Sequence, residues 1–388
     1  MRVTEVAIYR VDLPLAEPFQ HASSGLVTAL EEVVAAVRTD AGLTGYGEVR
    51  GNCGYVTGDV PDRVVAVAAH LAPLLLGRPV EDLARLRAAI EDAVVGNSGA
   101  KALLDIALHD LLARARGISV AALLGGQVHD RLPTDVSVPF GTVEAAADQA
   151  SRAVREGYRT IKVRVGGPAA VDEARLAAVR EAVDAAGGAE VTVAVDANGT
   201  LEAKEAVRRL RRWERYGLGW VEQPVPAWDI RGLRYVREHT DVPVMADESV
   251  LGPREVLTLV QEQAVDMLHF KLVKAGGFVP VRRMMAIAEA AEIPYMVGQM
   301  DEGMVATAAA VQCAAASRAA FFEVHGHKRV AMQPFSGIRV ADGAVIVPQG
   351  PGLAVDVDER ALRLVFLARA DDARGEVSSG RTLSGSAG

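Results

Sequence analysis

Cysteine is nearly absent from the chain. Two residues, Cys53 and Cys313, stand far apart among 388, which argues against a disulfide framework and for a reduced, cytoplasmic setting. No apolar run approaches the length of a bilayer span. Met1 leads into a strand-like alternation, VTEVAIYRVDLPL, so neither a membrane helix nor a secretory leader is expected. An excess of one charge is also lacking. The formal net charge of −8 is only mildly acidic and speaks against nucleic acid and anionic membrane as partners. The one basic run, VRRLRRWERY (207–216), has helical spacing and reads as the solvated face of a helix. Finally, no G-x-G-x-x-G follows the first strand of the longer, alternating part of the chain, which removes the fingerprint of a dinucleotide-binding sheet.

The remaining composition is that of an ordinary globular protein, 50% hydrophobic and 24% charged, and long enough for one barrel with an accessory domain. Residues 1–130 carry strand-like alternation around the turn DAGLTG, then helical patterns at 61–75, 80–94 and 99–116. They read as an α+β capping domain. From about Val136 short strands alternate with Ala-, Arg- and Glu-rich helical stretches. The strands are expected at 136–140, 160–165, 191–196, 219–222, 242–247, 267–271, 295–298 and 320–323. Eight strands at even spacing predict an α/β fold, a modified (β/α)7-8 TIM barrel over 131–330. Residues 331–365 are expected to return to the capping domain, and 366–388 to form a disordered tail.

Chemistry in such a barrel sits at the C-terminal ends of the strands. The third, fourth and fifth end in VDANG, VEQP and ADES, placing Asp196, Glu222 and Asp247 one βα unit apart. Any one of them alone reads as a helix cap. Three converging carboxylates need a cation, and hard oxygen ligands point to Mg²⁺. Cations stand on the flanking strands: Lys162 and Arg164 share one face of the second strand, and Lys271 lies on the sixth, across the barrel. Metal and cations together can stabilise the enolate of a carboxylate while a lysine removes the α-proton. A lysine in a crowded cationic site is expected to have a lowered pKa and to act as a base near neutral pH.

With these residues in place the chain resembles the enolase superfamily, and within it the muconate lactonizing enzyme subgroup, related to mandelate racemase. The resemblance runs from IYRVDLPL (8–15) through AKALLDIALHDLLARARGISVAALLGG (100–126), IKVRVG, VDANG, VEQP, ADES and KLVKAGG to PGLAVDVD (351–358). It implies Mg²⁺ on Asp196, Glu222 and Asp247, Lys162 steadying a substrate carboxylate, and Lys271 as acid/base. It also implies a small-molecule carboxylate substrate, two capping loops near 19–25 and 52–59, and a homo-oligomer. Family members with opposed lysines carry K-x-K on the second strand, whereas this chain has K-x-R. Arg164 keeps its proton, so the expected reaction is a one-base elimination or cycloisomerisation, with two-base racemisation or epimerisation second. A third reading is a metal- and carboxylate-binding barrel without catalysis. A sugar-acid dehydratase is disfavoured, because its seventh-strand histidine is replaced by Gln299 and Met300.

Weaker expectations concern substrate contacts from His21 and Tyr55 in the capping loops, from Gln299 and Glu302 after the seventh strand, and from Glu323 and His325 after the eighth. By the resemblance, Glu323 would meet a substrate ammonium, favouring an amino-acid-like substrate. Asn198, Gln223 and Glu248 are expected beside the metal ligands. Lys274 is expected in the loop after the sixth strand in a structural role, and His269 packed behind the barrel.

Overall fold

The computed structural model describes residues 1–20 and 25–371. The N-terminal part is an antiparallel sheet in the order Arg363–Arg369, Val3–Phe19, Val27–Thr39, Thr44–Arg50. Its alternating residues bury one face under the helices Pro61–Leu71, Leu83–Ala93 and Ser98–Ala115. The last of these is buried nearly all round, because it is wedged against the strand Thr44–Arg50. Gly47 permits that approach: a Cβ there would collide with the Leu103 carbonyl.

The strand Arg363–Arg369 runs beside Val3–Phe19, so residues 366–369 are sheet, not the tail expected from their position. Residues 372–388 lie outside the described residues. The return segment also differs from expectation. Arg339–Ala341 and Ala344–Ile346 form a hairpin that pairs with Arg131–Pro133, not with the capping sheet. Further along, Leu353 donates its N–H to Asp110 at 2.7 Å and Glu359 accepts from Tyr46 at 2.6 Å, so this part does reach the capping domain.

The second part is an eight-stranded parallel sheet in sequence order: Val136–Val138, Thr160–Arg164, Thr192–Asp196, Leu218–Glu222, Val244–Ala246, Met267–Lys271, Tyr295–Gly298 and Phe321–Glu323. Both faces of these strands are covered, which explains their short, near-continuous apolar sequences. The amphipathic helices between them have local start signals; Thr142 accepts from the Ala145 N–H at 3.1 Å and Asp229 from Gly232 at 2.8 Å. The curled sheet is a capped TIM-type barrel. Among the described residues its first and last strands meet only at one end, through Thr134 and Phe322. No helix among those residues is long and apolar enough to cross a membrane.

Candidate active site

Strand register builds the site. Arg164 pairs across from Asp196, and Asp196 from Glu222, so cation, carboxylate and carboxylate stand level on three neighbouring strands. Asp247 follows the fifth strand, and Lys271 ends the sixth, on the far side of the barrel from Lys162 and Arg164. All six are buried, and each carboxylate faces a cation. Arg164 binds Asp196. Lys162 donates to Glu222 at 2.9 Å, and Lys271 to Asp247 at 2.8 Å. Lys274 also reaches Asp247, bonding its side chain and its carbonyl.

Burial alone would raise every one of these carboxyl pKa values. It prevails at Asp196, which is pushed up to about 6 despite Arg164. At Glu222 burial is outweighed by Lys162 and His269, and at Asp247 by Lys271 and Lys274, so both lie below the usual carboxylate range. Glu248, buried beside Asp247 and Asp196, is pushed up to about 8. Lys271 does not behave as expected. Burial lowers its pKa, but Asp247 and Glu323 outweigh burial and raise it. Its nearest charges are carboxylates rather than cations. The neighbouring Lys274 is the lysine whose pKa burial lowers.

The floor of the site is a ring hydrogen-bonded on all but one of its four contacts, that between His269 and Glu323. Lys162 spans Glu222 Oε2 at 2.9 Å and Glu323 Oε1 at 2.5 Å. His269 spans the other two oxygens, with Nδ1 on Glu222 Oε1 at 2.9 Å and Nε2 3.4 Å from Glu323 Oε2. His269 therefore points into the barrel, not behind it. It lies two residues before Lys271 on one strand, and strand parity puts both on the same face. Gly298 on the next strand makes room for it; a Cβ there would strike His269 Nε2. Among the described residues Glu222, His269 and Glu323 are the one group of three whose ligand atoms come within 4.8 Å of one another. Hydrogen bonds already tie Glu222 to Lys162 and His269, and Glu323 to Lys162, and the Lys162 ammonium stands among them, so the group is a poor cation site. The oxygens of Asp196, Glu222 and Asp247, with the orphaned buried Glu248 Oε2 beside them, fit a hard divalent ion better.

The groups expected beside the ligands are brought together. Asn198, with a positive φ of 45°, donates its N–H to Asp196 at 2.9 Å and its amide to Glu248 at 3.2 Å. Gln223 accepts from the Asp247 and Ser249 N–H groups at 2.9 and 3.1 Å, fixing the loop that carries Asp247. Lys274 stands in a one-turn helix, Leu272–Ala275, instead of a loop.

The substrate contacts divide. Gln299, Glu323 and His325 line a cavity of about 300 Å³ together with Arg164 and Lys271. Glu323 lines the cavity while its Oε1 accepts from Lys162 at 2.5 Å. His325 bonds the Tyr158 hydroxyl at 2.9 Å, and burial pushes its pKa down to about 3, so it is a neutral wall residue. Glu302 does not line this cavity. It joins Glu32 and Glu48 at the junction with the capping domain, where its carboxyl bonds the Met300 N–H at 3.1 Å. Tyr55 packs on the Arg50 guanidinium, 5.9 Å from its ring centre, and is likewise absent from the cavity wall. His21 lies outside the described residues.

Asp135 was not anticipated. It is buried on the cavity wall 3.5 Å from Lys162, and burial pushes its pKa up to about 8. The only signal was an aspartate heading the first barrel strand, in TDVSV.

The chain as a whole is similar to known proteins. Residues 3–125 match the family described as "Mandelate racemase / muconate lactonizing enzyme, N-terminal domain", and residues 145–361 match "Enolase C-terminal domain-like". An L-Ala-D/L-Glu epimerase of Bacillus subtilis is 34% identical over 92% of this chain and 97% of its own. Muconate cycloisomerase 1 of Rhodococcus opacus is 31% identical over 94% and 98%. The crystal structure of a dipeptide epimerase from Cytophaga hutchinsonii, complexed with Mg and the dipeptide D-Ala-L-Val, superposes with a TM-score of 0.89 at 29% identity, covering 94% of this chain and 99% of that one.

Proposed function

Because the chain belongs to the mandelate racemase / muconate lactonizing enzyme family of the enolase superfamily, whose relatives here are epimerases, racemases and cycloisomerases, we propose that it is a Mg²⁺-dependent isomerase that removes the proton α to the carboxylate of a small amino-acid derivative. The observation that carries this reading is the pair Lys271 and Arg164, which line one cavity from opposite sides of the barrel above buried carboxylates. Asp196, Glu222 and Asp247 would hold the ion. When bound, Mg²⁺ would stabilise the enolate and neutralise the Asp247 charge that keeps Lys271 protonated.

Lys271 takes the proton from one face of the substrate. Arg164 stands on the other, and Asp196 raises its pKa further against the cost of burial. A guanidinium donates far more readily than it accepts. The two faces are therefore unequal: the epimer whose α-hydrogen meets Lys271 exchanges quickly, and inversion through Arg164 is slower. The relatives named as epimerases and as a racemase support epimerisation. Arg164 supports the second reading, a one-base lyase or cycloisomerase.

Proton NMR in D₂O separates them. Each epimer of a panel of dipeptides and N-acyl amino acids is incubated with the protein and Mg²⁺. Fast exchange with retention and slower inversion is the expected result. Exchange with elimination or ring closure favours the second reading. In Lys271→Ala, exchange should fall by about 10²–10⁴-fold; unchanged exchange removes Lys271 as the base.

A further inference from the structure

Behind the cavity wall runs a short chain of hydrogen bonds that the reaction above does not use. His325 is half-buried and lines the cavity with Arg164 and Lys271. Tyr158, only 2% exposed, stands behind it and does not line the cavity. The two rings lie within 18° of parallel, and the Tyr158 hydroxyl is 2.9 Å from His325 Nδ1. Lys328 Nζ donates to the same hydroxyl at 3.1 Å. The backbone around His325 is held on both sides. Its carbonyl accepts the Lys328 N–H at 3.1 Å, and the Val324 N–H is bound by Thr134 Oγ1 at 3.1 Å. Gly326 lets the loop pack on the one after the seventh strand; a Cβ there would strike Gln299 Nε2 and the Met300 carbonyl.

These contacts fix which ring nitrogen carries the hydrogen. An ammonium only donates, so Lys328 gives a hydrogen to the Tyr158 oxygen and can take none. Burial raises the Tyr158 pKa, so the hydroxyl keeps its own hydrogen. Among the described residues the one acceptor in reach of that hydrogen is His325 Nδ1. Were Nδ1 protonated, a buried hydroxyl would be left with no acceptor, which folded proteins avoid. The neutral ring therefore carries its hydrogen on Nε2. That nitrogen bonds no described residue and is not enclosed by protein, so it opens to the cavity. Donation from ammonium to hydroxyl to imidazole runs in one direction and strengthens the final Nε2–H as a donor. Such a donor takes an oxygen. It offers an ammonium no lone pair, and the Lys328 charge stands behind it. A ring held neutral also brings no charge to match a carboxylate.

We propose that His325 is a specificity-determining donor, its Nε2–H tautomer set by Tyr158 and Lys328, and that it selects an uncharged substrate oxygen over an ammonium at its place in the cavity. The substrate's orientation rests on the α-proton reading; the tautomer does not. Long-range ¹⁵N–¹H NMR of the histidine-labelled protein reads the tautomer, with the His325 signals assigned by their loss in His325→Gln. At neutral pH the hydrogen is expected on Nε2, and Tyr158→Phe should give a mixture of the two tautomers. A wild-type hydrogen on Nδ1, or on both nitrogens, overturns the proposal. Calorimetry on the Mg²⁺-loaded protein then compares N-glycoloyl-L-alanine with glycyl-L-alanine, which differ by a hydroxyl in place of an ammonium. The hydroxyl ligand should bind about tenfold tighter. That preference should vanish in His325→Phe, survive in His325→Gln, whose amide still donates, and weaken in Tyr158→Phe. A wild-type preference for the ammonium, or a preference untouched by His325→Phe, also overturns the proposal. The D₂O exchange assay reports separately. An Nε2–H tautomer with oxygen preference but no exchange by any acid sinks the α-proton reading and keeps the role of His325; exchange with an Nδ1–H tautomer does the reverse.

Discussion

Two sets of three buried carboxylates lie in this molecule, and two members of the first, though not Asp196, which is raised to about 6, behave opposite to all three of the second. Asp196, Glu222 and Asp247 occupy the barrel mouth. Glu32, Glu48 and Glu302 meet where the capping sheet touches the barrel. Burial is equally severe, yet Glu222 and Asp247 lie below the usual carboxylate range while all three junction groups lie above it: Glu48 is pushed up to about 8 and Glu302 to about 7. The difference is the cation supply. The mouth set has Lys162, Arg164, Lys271 and Lys274. The junction set has Arg50, whose guanidinium is spent on Asn52, at 2.8 Å to its side chain, and on the rings of Phe19 and Tyr55. Burial by itself makes a carboxyl neutral; a buried carboxylate that stays charged has been given a reason to be. The mouth is built to hold negative charge, as an ion site must be, and the junction to hold protons.

The comparison breaks most visibly if a mouth cation is removed. Lys162→Met leaves Glu222 and Asp135 with no ammonium beside them, and Glu323 with that of Lys271 alone, 3.5 Å away. Breaking such a buried pair costs roughly 3–5 kcal/mol. Denaturant unfolding at neutral pH with the metal chelated should show that loss. A change below about 1 kcal/mol would mean that the mouth carboxylates tolerate one another unaided, and the contrast with the junction would disappear.

A smaller effect is expected at His269, which is neutral at physiological pH because burial lowers its pKa. It acts through its Nδ1 bond to Glu222 at 2.9 Å, with Nε2 3.4 Å from Glu323. His269→Asn should leave the fold intact and lower Mg²⁺ affinity or α-proton exchange by about 10–100-fold. Calorimetric Mg²⁺ titration and the D₂O assay read the two outcomes. No change in either would show that Lys162 alone fixes the ring.

The mouth was legible in the sequence because barrel topology converts spacing into geometry. Carboxylates one βα unit apart at strand ends must converge, and Gln223 and Asn198 follow their ligands closely enough to share the loop. Neither ring nor junction was legible. His269 required strand parity to be carried two residues back from Lys271. Asp135 is a single aspartate at the head of a strand, with nothing local to mark it as internal. Glu32 and Glu48 look like the polar positions of an antiparallel meander. They are internal only because the barrel covers that face, a long-range fact that alternation cannot encode. The basicity of Lys271 was misjudged for a related reason: the sequence counts the cations of the site, but distance decides which charges dominate.

The smallest and most specific effect belongs to Glu48. Its carboxyl accepts the Ala306 N–H at 2.8 Å, so a capping-domain side chain caps the barrel helix Met304–Ala315 across the junction. Its pKa is raised from an ordinary 4.5 to about 8. For an acid raised on folding, the stabilising contribution is fully present below the ordinary value and is lost as pH rises through the folded one. The protein should therefore lose thermal stability between pH 4.5 and 8, as the junction is forced to ionise. Glu48→Gln keeps the acceptor for the helix end and removes the proton to be lost. Its melting temperature should fall less over that interval than the wild type's, by about 2 °C or more, with the curves closest at the acid end. Parallel curves would mean that the junction proton resides on Glu32 or Glu302 instead, and the same pair of measurements on Glu302→Gln would locate it.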